Sequence, residues 1–162
     1  VPHKFTATLK KAVYGLPELY IKKIAKASLI ANPGCYPTGA IIGLYPALKK
    51  RIASTGFIVI DSKSGTSGAG RKADTAFSFC EVNEGLRAYS IAGHRHTPEI
   101  EQELSYIAGS NIKVDFTPHL IPIDRGILTT IYLKAIKPDD IRSVYSVYRS
   151  LYAKEPFVSV LE

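Results

Sequence analysis

Apolar residues recur along this chain with two different periods, and the switch between them marks out its elements. Glu18 to Lys26 carries Leu19, Ile21 and Ile24 directly after Pro17, which predicts a short amphipathic helix. Thr38 to Ala53 predicts a second helix with an apolar first half, which Pro46 should kink. Thr97 to Ala108 opens with Thr-Pro-Glu, an N-cap, a proline at N1 and an early acid, and reads as a third. Pro138 to Ala153 sets Ile141, Val144, Tyr145, Tyr148 and Leu151 at helical spacing. Period two governs Ile127 to Ile136, where Ile127, Thr129, Ile131, Leu133 and Ala135 share one face of a strand. Shorter strands are predicted at Ser28 to Ala31, Phe57 to Asp61, Leu86 to Ala92, Lys113 to Thr117 and Phe157 to Leu161. No repeat or linker interrupts the pattern. The prediction is one α+β domain over residues 1–162, with a mixed, largely antiparallel sheet and helices packed on one face.

Composition narrows the class. Apolar residues make up 46% and charged residues 22%, ordinary proportions for a soluble globular domain. No apolar run reaches the roughly 18 residues that a membrane span needs, so no membrane partner is expected. The chain begins Val-Pro-His-Lys-Phe, with no signal-peptide pattern, and contains no methionine. It reads as a piece of a longer protein, with a cytoplasmic setting expected. The net charge of +7 admits nucleic acid or anionic small molecules as partners. Lys22-Lys23 and Lys49-Lys50-Arg51 fall on helical patterns, where a solvated face accounts for them. The tyrosines lie within helix and strand patterns instead of alternating with basic residues, which argues against a nucleic-acid module. Two widely separated cysteines give no disulfide framework, and neither a CxxC pair nor HExxH supports a metal site.

Three stretches carry chemistry. In Asn32-Pro-Gly-Cys-Tyr-Pro-Thr38 a strand delivers Cys35 to a tight turn, with a helix starting shortly after. The positive end of a helix and its unpaired amides favour a thiolate and can hold an oxyanion. Gly34 leaves room for a substrate to approach the backbone. Cys80, within Phe-Ser-Phe-Cys, reads instead as a small buried hydrophobe. Gly93-His-Arg-His-Thr-Pro-Glu99 sets two histidines just before a helix. A thiol nucleophile needs a proton acceptor and later a donor, and histidine serves both roles near neutrality. His94 and His96 should lie on opposite sides of an extended segment, so that only one faces Cys35. Glu99 is placed to fix an imidazole tautomer, as the third member of a triad does. His119 reads as structural.

Gly65 to Lys72 follows a strand and fits G-x-G-x-x-A through Gly68, Gly70 and Ala73. That fingerprint must open a helix directly after its strand, and here loop residues intervene. The P-loop pattern fails as well, because Arg71-Lys72 stands where Lys-Ser/Thr is required. What remains is a loop of amides and hydroxyls ending in Arg71, suited to an anion. Arg125, in the turn Ile123-Asp-Arg-Gly126, is a second anion candidate.

The motifs NPGCYPT, SGAGR, GHRHTPEI and TPHLIPIDRGI occur in an order that resembles the N-acetyl-γ-glutamyl-phosphate reductases. These are similar to aspartate-semialdehyde dehydrogenases and, more distantly, to glyceraldehyde-3-phosphate dehydrogenases. The resemblance runs from about Ser28 to Ile136. It implies a catalytic Cys35, an acid–base His94 with His96 as competitor, and substrate contacts at Asn32, Arg71 and Arg125. It implies cofactor contacts at Gly34, Ser67, Gly68, Ala69 and Gly70. The family's Rossmann domain and returning C-terminal segment are not matched, so NADP is expected to be held mostly outside this chain. The implied reaction is reduction of an acyl phosphate through a Cys35 thioester, in a catalytic and dimerisation domain that forms a dimer or tetramer and is inactive alone. The alternatives are a carrier-protein-linked aminoadipyl phosphate as substrate, or a cofactor-free Cys-His hydrolase or acyltransferase.

Overall fold

A computed structural model describes residues 4–70, 74–136 and 141–162. In chain order its elements are α1 (Thr6–Leu9), β1 (Val13–Tyr14), α2 (Pro17–Ile24), β2 (Ile30–Ala31), α3 (Cys35–Lys49) and β3 (Ala53–Ser64). They continue with two 3₁₀ turns at Thr66–Ala69 and Thr75–Phe77, then α4 (Phe79–Val82), β4 (Arg87–Ala88), α5 (Thr97–Ala108), β5 (Asp115–Leu120), β6 (Ile127–Ala135) and α6 (Ile141–Tyr152).

The main sheet is ordered β4-β5-β3-β6. β3 runs parallel to β5 and antiparallel to β6, and β4 is antiparallel to β5, so the sheet is mixed and largely antiparallel as predicted. A small parallel pair, β1-β2, lies apart. α3 lies against α5, α6, β3 and β6. Ala40, Ile41 and Leu44 of α3 meet Ile58 and Ile60 of β3, Phe116 of β5, and Ile100 and Leu104 of α5 in one buried cluster. On β6, Ile131 and Leu133 pack against that cluster, as period two requires. The opposite face of the sheet is open, with Phe57, Leu128 and Tyr132 exposed on it.

Several expectations need correction. α3 begins at Cys35 and ends at Lys49, and its helical span continues through Pro46 without a break. Pro46 has no N–H for the carbonyl of Ile42, one turn back. The Tyr152 hydroxyl donates to that carbonyl at 2.6 Å, and Tyr148 donates to the Gly43 carbonyl at 2.7 Å. α6 thus supplies a hydrogen bond that the proline removes. The strand expected over Leu86 to Ala92 shrinks to Arg87–Ala88, because Ser90 and Ala92 take positive φ (47° and 57°) and turn the chain. Phe157 to Leu161 forms no strand, since no neighbour pairs with it, and Phe157 and Leu161 are exposed. β3 is longer than its apolar core suggested, and α1, α4 and β1 carry too few residues to show a period. Cys80 is exposed on α4, not buried. Arg71, Lys72 and Ala73 lie outside the described residues, as does the start expected for the last helix.

Candidate active site

The site forms where the N-terminus of α3 meets the turn leading into α5. Gly34 is the N-cap of α3 in extended conformation, and Cys35 is the helix's first residue, with an exposed thiol. Position N1 sets the thiol among the unpaired amides of the first turn, where the macrodipole is positive. The oxygen Oε1 of Glu99 accepts the Gly34 amide at 2.9 Å and the Tyr14 hydroxyl at 2.8 Å. Glu99 therefore fastens the turn that presents Cys35. Its Oε1 is taken up by backbone and tyrosine, not by an imidazole.

Both histidines are nearly buried, at 9% exposure each. They are also on the same side of their segment, with ring centroids 4.9 Å apart, because the chain turns here where an extended run was expected. Each packs edge-on against Tyr36, the residue after Cys35. Their surroundings separate them. The His96 ring covers Gly34 so closely that a Cβ there would lie 2.6 Å from Nε2. Its Nδ1 is buried without a hydrogen-bond partner. His94 faces the cavity, and its Nδ1 accepts the His96 backbone amide at 3.2 Å. Burial, then the neighbouring His96, then Arg95 hold His94 below the usual histidine value. Burial likewise lowers His96, with Glu99 pulling back and Arg95 adding to the drop.

Cys35 and His94 open on one cavity of about 380 Å³. Tyr36, Tyr89 and Arg95 share its wall with Gly65, Gly68 and Ala69 of the glycine loop. Ser67 and Gly70 line an adjoining hollow with Asp74 and Thr75. The loop is tied down: the amides of Gly65, Thr66 and Ser67 donate to the carbonyls of Gly126, Ile123 and Asp124. Those amides are spent within the fold, so the anion grip expected of them is not available. Asn32 is exposed and lies off the cavity wall, as does Arg125. Arg125 instead abuts Gly65, whose missing Cβ leaves 2.9 Å to the Arg125 amide.

Sequence reasoning missed Arg95 and Tyr89. Arg95 stood in view between the two histidines. A cation between two histidines was the available signal. Tyr89 gave none, since it lay inside an expected strand.

The arrangement presents a thiol at a helix N-terminus, a neutral imidazole and a guanidinium on one cavity. That is the equipment of covalent acyl transfer from an anionic donor. A family model described as the dimerisation domain of semialdehyde dehydrogenase matches residues 35–162. The chain belongs to that family. It is 54% identical over 161 residues to the N-acetyl-γ-glutamyl-phosphate reductase of Geobacter metallireducens, covering 99% of this chain and 46% of that protein. The reductase of Moorella thermoacetica is 54% identical over 151 residues, with 93% and 44% covered. The chain thus spans less than half the length of these relatives. Among solved structures, aspartate semialdehyde dehydrogenase II of Vibrio cholerae matches with a TM-score of 0.65 at 17% identity, over 85% of this chain and 48% of that one. The aspartate semialdehyde dehydrogenase of Candida albicans, solved with NADP, gives 0.59 at 14%, over 86% and 45%. These last two establish the fold. No helix among the described residues is long and apolar enough to cross a membrane.

Proposed function

We propose that this chain carries the acylation centre of an N-acetyl-γ-glutamyl-phosphate reductase, an oxidoreductase of arginine biosynthesis. The observation that carries the reading is a single cavity shared by Cys35 and His94, in a chain 54% identical to curated reductases of that name. The Cys35 sulfur attacks the acyl carbon, the carbon–oxygen bond to phosphate breaks, and inorganic phosphate leaves with a thioester on Cys35. Splitting the reduction in this way replaces one difficult step with two easier ones. Amides at the start of α3 face the oxygen that turns negative as the carbon becomes tetrahedral. Cys35 reacts as its thiolate, the thiol proton having gone to water, and His94, protonated on Nε2, donates a hydrogen bond to that oxygen. His96 serves as a wedge against Gly34, leaving His94 as the imidazole that faces the substrate. Arg95 takes the anionic group of the substrate nearest the thiol.

Gly65, Gly68 and Ala69, without bulky side chains, fit the reactive end of a nicotinamide beside Cys35. NADPH, when bound, supplies the hydride for the second half of the reaction. The remaining contacts of such a dinucleotide come from the part of the relatives that this chain does not span. A second copy covers the open sheet face where Phe57, Leu128 and Tyr132 are exposed, giving a homo-oligomer. A cytoplasmic setting keeps Cys35 reduced.

The test is phosphate-dependent reduction of NADP with N-acetylglutamate semialdehyde by the complete enzyme carrying this chain. Cys35→Ser should abolish it. Activity only with a carrier-linked aminoadipyl substrate, or cofactor-free hydrolysis, would replace this reading.

A further inference from the structure

We infer that the Tyr89 hydroxyl is a substrate-binding donor, backed by Tyr36, and that it receives a phosphate oxygen of the acyl phosphate. The inference rests on reading the cavity as an acyl-phosphate site and adds a residue to it.

Tyr36 follows Cys35 in the first turn of α3 and is 3% exposed. Tyr89 follows β4, half-buried, with its amide tied to the Pro118 carbonyl at 3.1 Å. The two hydroxyl oxygens lie 2.8 Å apart. A pair of hydroxyls sharing one hydrogen bond holds two protons, one between the oxygens and one left over. If Tyr89 donated, the spare proton would sit on the more deeply buried phenol. With Tyr36 donating, the spare proton sits on Tyr89, the more exposed of the two tyrosines that line the cavity with Cys35, His94 and Arg95. The second direction satisfies the buried hydroxyl and points a free donor at the ligand. A donor that also accepts is polarised by the bond behind it, which strengthens the bond it makes in front.

Position argues for phosphate over a distant carboxylate. The leaving phosphate is joined directly to the carbon that Cys35 attacks, so it must occupy the same cavity as the thiol. The Tyr89 ring stands edge-on to His94 with centroids 5.6 Å apart, so phenol and imidazole are neighbours. Burial first, and then the charge of a Cys35 thiolate, favour the protonated form of Tyr89, with Arg95 pulling the other way. It therefore binds without giving up its proton, while Arg95 supplies the charge.

The test uses inorganic phosphate as the probe. Alkylation of Cys35 by iodoacetamide is followed on its own peptide, with increasing phosphate, in the wild type and in Tyr89→Phe and Tyr36→Phe. Phosphate should slow alkylation of Cys35 and leave Cys80 unaffected. Tyr89→Phe should need about tenfold more phosphate for half-protection, what one hydrogen bond to a charged group is worth. Each midpoint is read against that variant's own unprotected rate. Tyr36→Phe should shift the midpoint about two- to threefold, because Tyr89 keeps its proton and loses only the polarising partner. Half-protection unchanged in Tyr89→Phe, or no protection of the wild type, overturns the inference. Should Tyr89→Phe fail to fold, an unchanged midpoint in Tyr36→Phe overturns it. Phosphate protection without reductase activity in the complete enzyme would instead sink the reductase reading and leave Tyr89 a phosphate donor.

Discussion

The backbone amide of His96 donates to Nδ1 of His94 at 3.2 Å. An amide can only donate, so neutral His94 must carry its proton on Nε2. Protonating Nδ1 would set two N–H groups against each other. In resting protein His94 should therefore read as the neutral Nε2–H tautomer at pH 7 in ring-nitrogen NMR. An imidazolium, or the Nδ1–H form, would refute this.

Stability follows with a definite sign. Both histidines sit below their ordinary value when folded, burial being the first cause for each. Each unfolded histidine takes up its proton near pH 6.5, while the folded form resists. Stability should thus be complete above about pH 7 and fall as pH drops through about 6.5. The loss levels off below the folded values. Urea midpoints at pH 7.5 and 5.5 should differ by less in His94→Gln than in wild type. An equal difference in both would rule out this source.

Gly34 has an ordinary φ of −67°, so its need for glycine comes from space and not from conformation. A Cβ there would meet His96 Nε2 at 2.6 Å, Cδ2 at 2.9 Å and Cε1 at 3.0 Å. Gly34→Ala should cost about 1–3 kcal/mol, the usual range for overpacking. His96→Ala should relieve most of that cost in the double variant, as measured by urea denaturation. Additive losses would show that the two residues do not press on each other.

Glu99 joins β1 to the turn before Cys35 through Tyr14 and Gly34. Glu99→Ala leaves the Gly34 amide without its partner, a loss of about 1–3 kcal/mol, and should also slow alkylation of Cys35. Glu99→Gln keeps an acceptor and should recover most of both. If the alanine variant loses stability but keeps the wild-type Cys35 rate, Glu99 is structural only.

Tyr152 completes the hydrogen bonding that Pro46 interrupts. Tyr152→Phe should cost about 1–3 kcal/mol by stranding the Ile42 carbonyl. In a Pro46→Ala background the helix regains its own donor, and the penalty of Tyr152→Phe should shrink. A penalty of the same size in both backgrounds would contradict the account.

What the sequence made legible was periodic or local. β6 showed its period over nine residues, α5 was marked by Thr-Pro-Glu at its start, and Cys35 announced itself through Pro-Gly before a helix. Features decided by distant partners stayed hidden. Glu99 looked like a histidine's orienter because its own helix was visible, whereas Tyr14, 85 residues away, was not. His94 and His96 were assigned opposite faces because alternation assumes an extended chain, whereas Arg95 and His96 form a turn in which His96 has helical backbone angles (φ −83°, ψ −15°). Phe157 to Leu161 has strand composition but no neighbour, and strand formation needs one. Cys80 lies among phenylalanines in sequence, yet the exposed Phe79 shows that this segment faces outward.

The central claim is that Cys35 takes the acyl group before any cofactor acts, and it can be read directly on this chain. N-acetyl-γ-glutamyl phosphate is added without NADPH, released phosphate is counted, and the Cys35 and Cys80 peptides are weighed. The account predicts one N-acetylglutamyl group on Cys35 for each phosphate released, none on Cys80, and loss of the adduct in Cys35→Ser. Phosphate release with no adduct on Cys35, or an adduct that persists in Cys35→Ser, would contradict it.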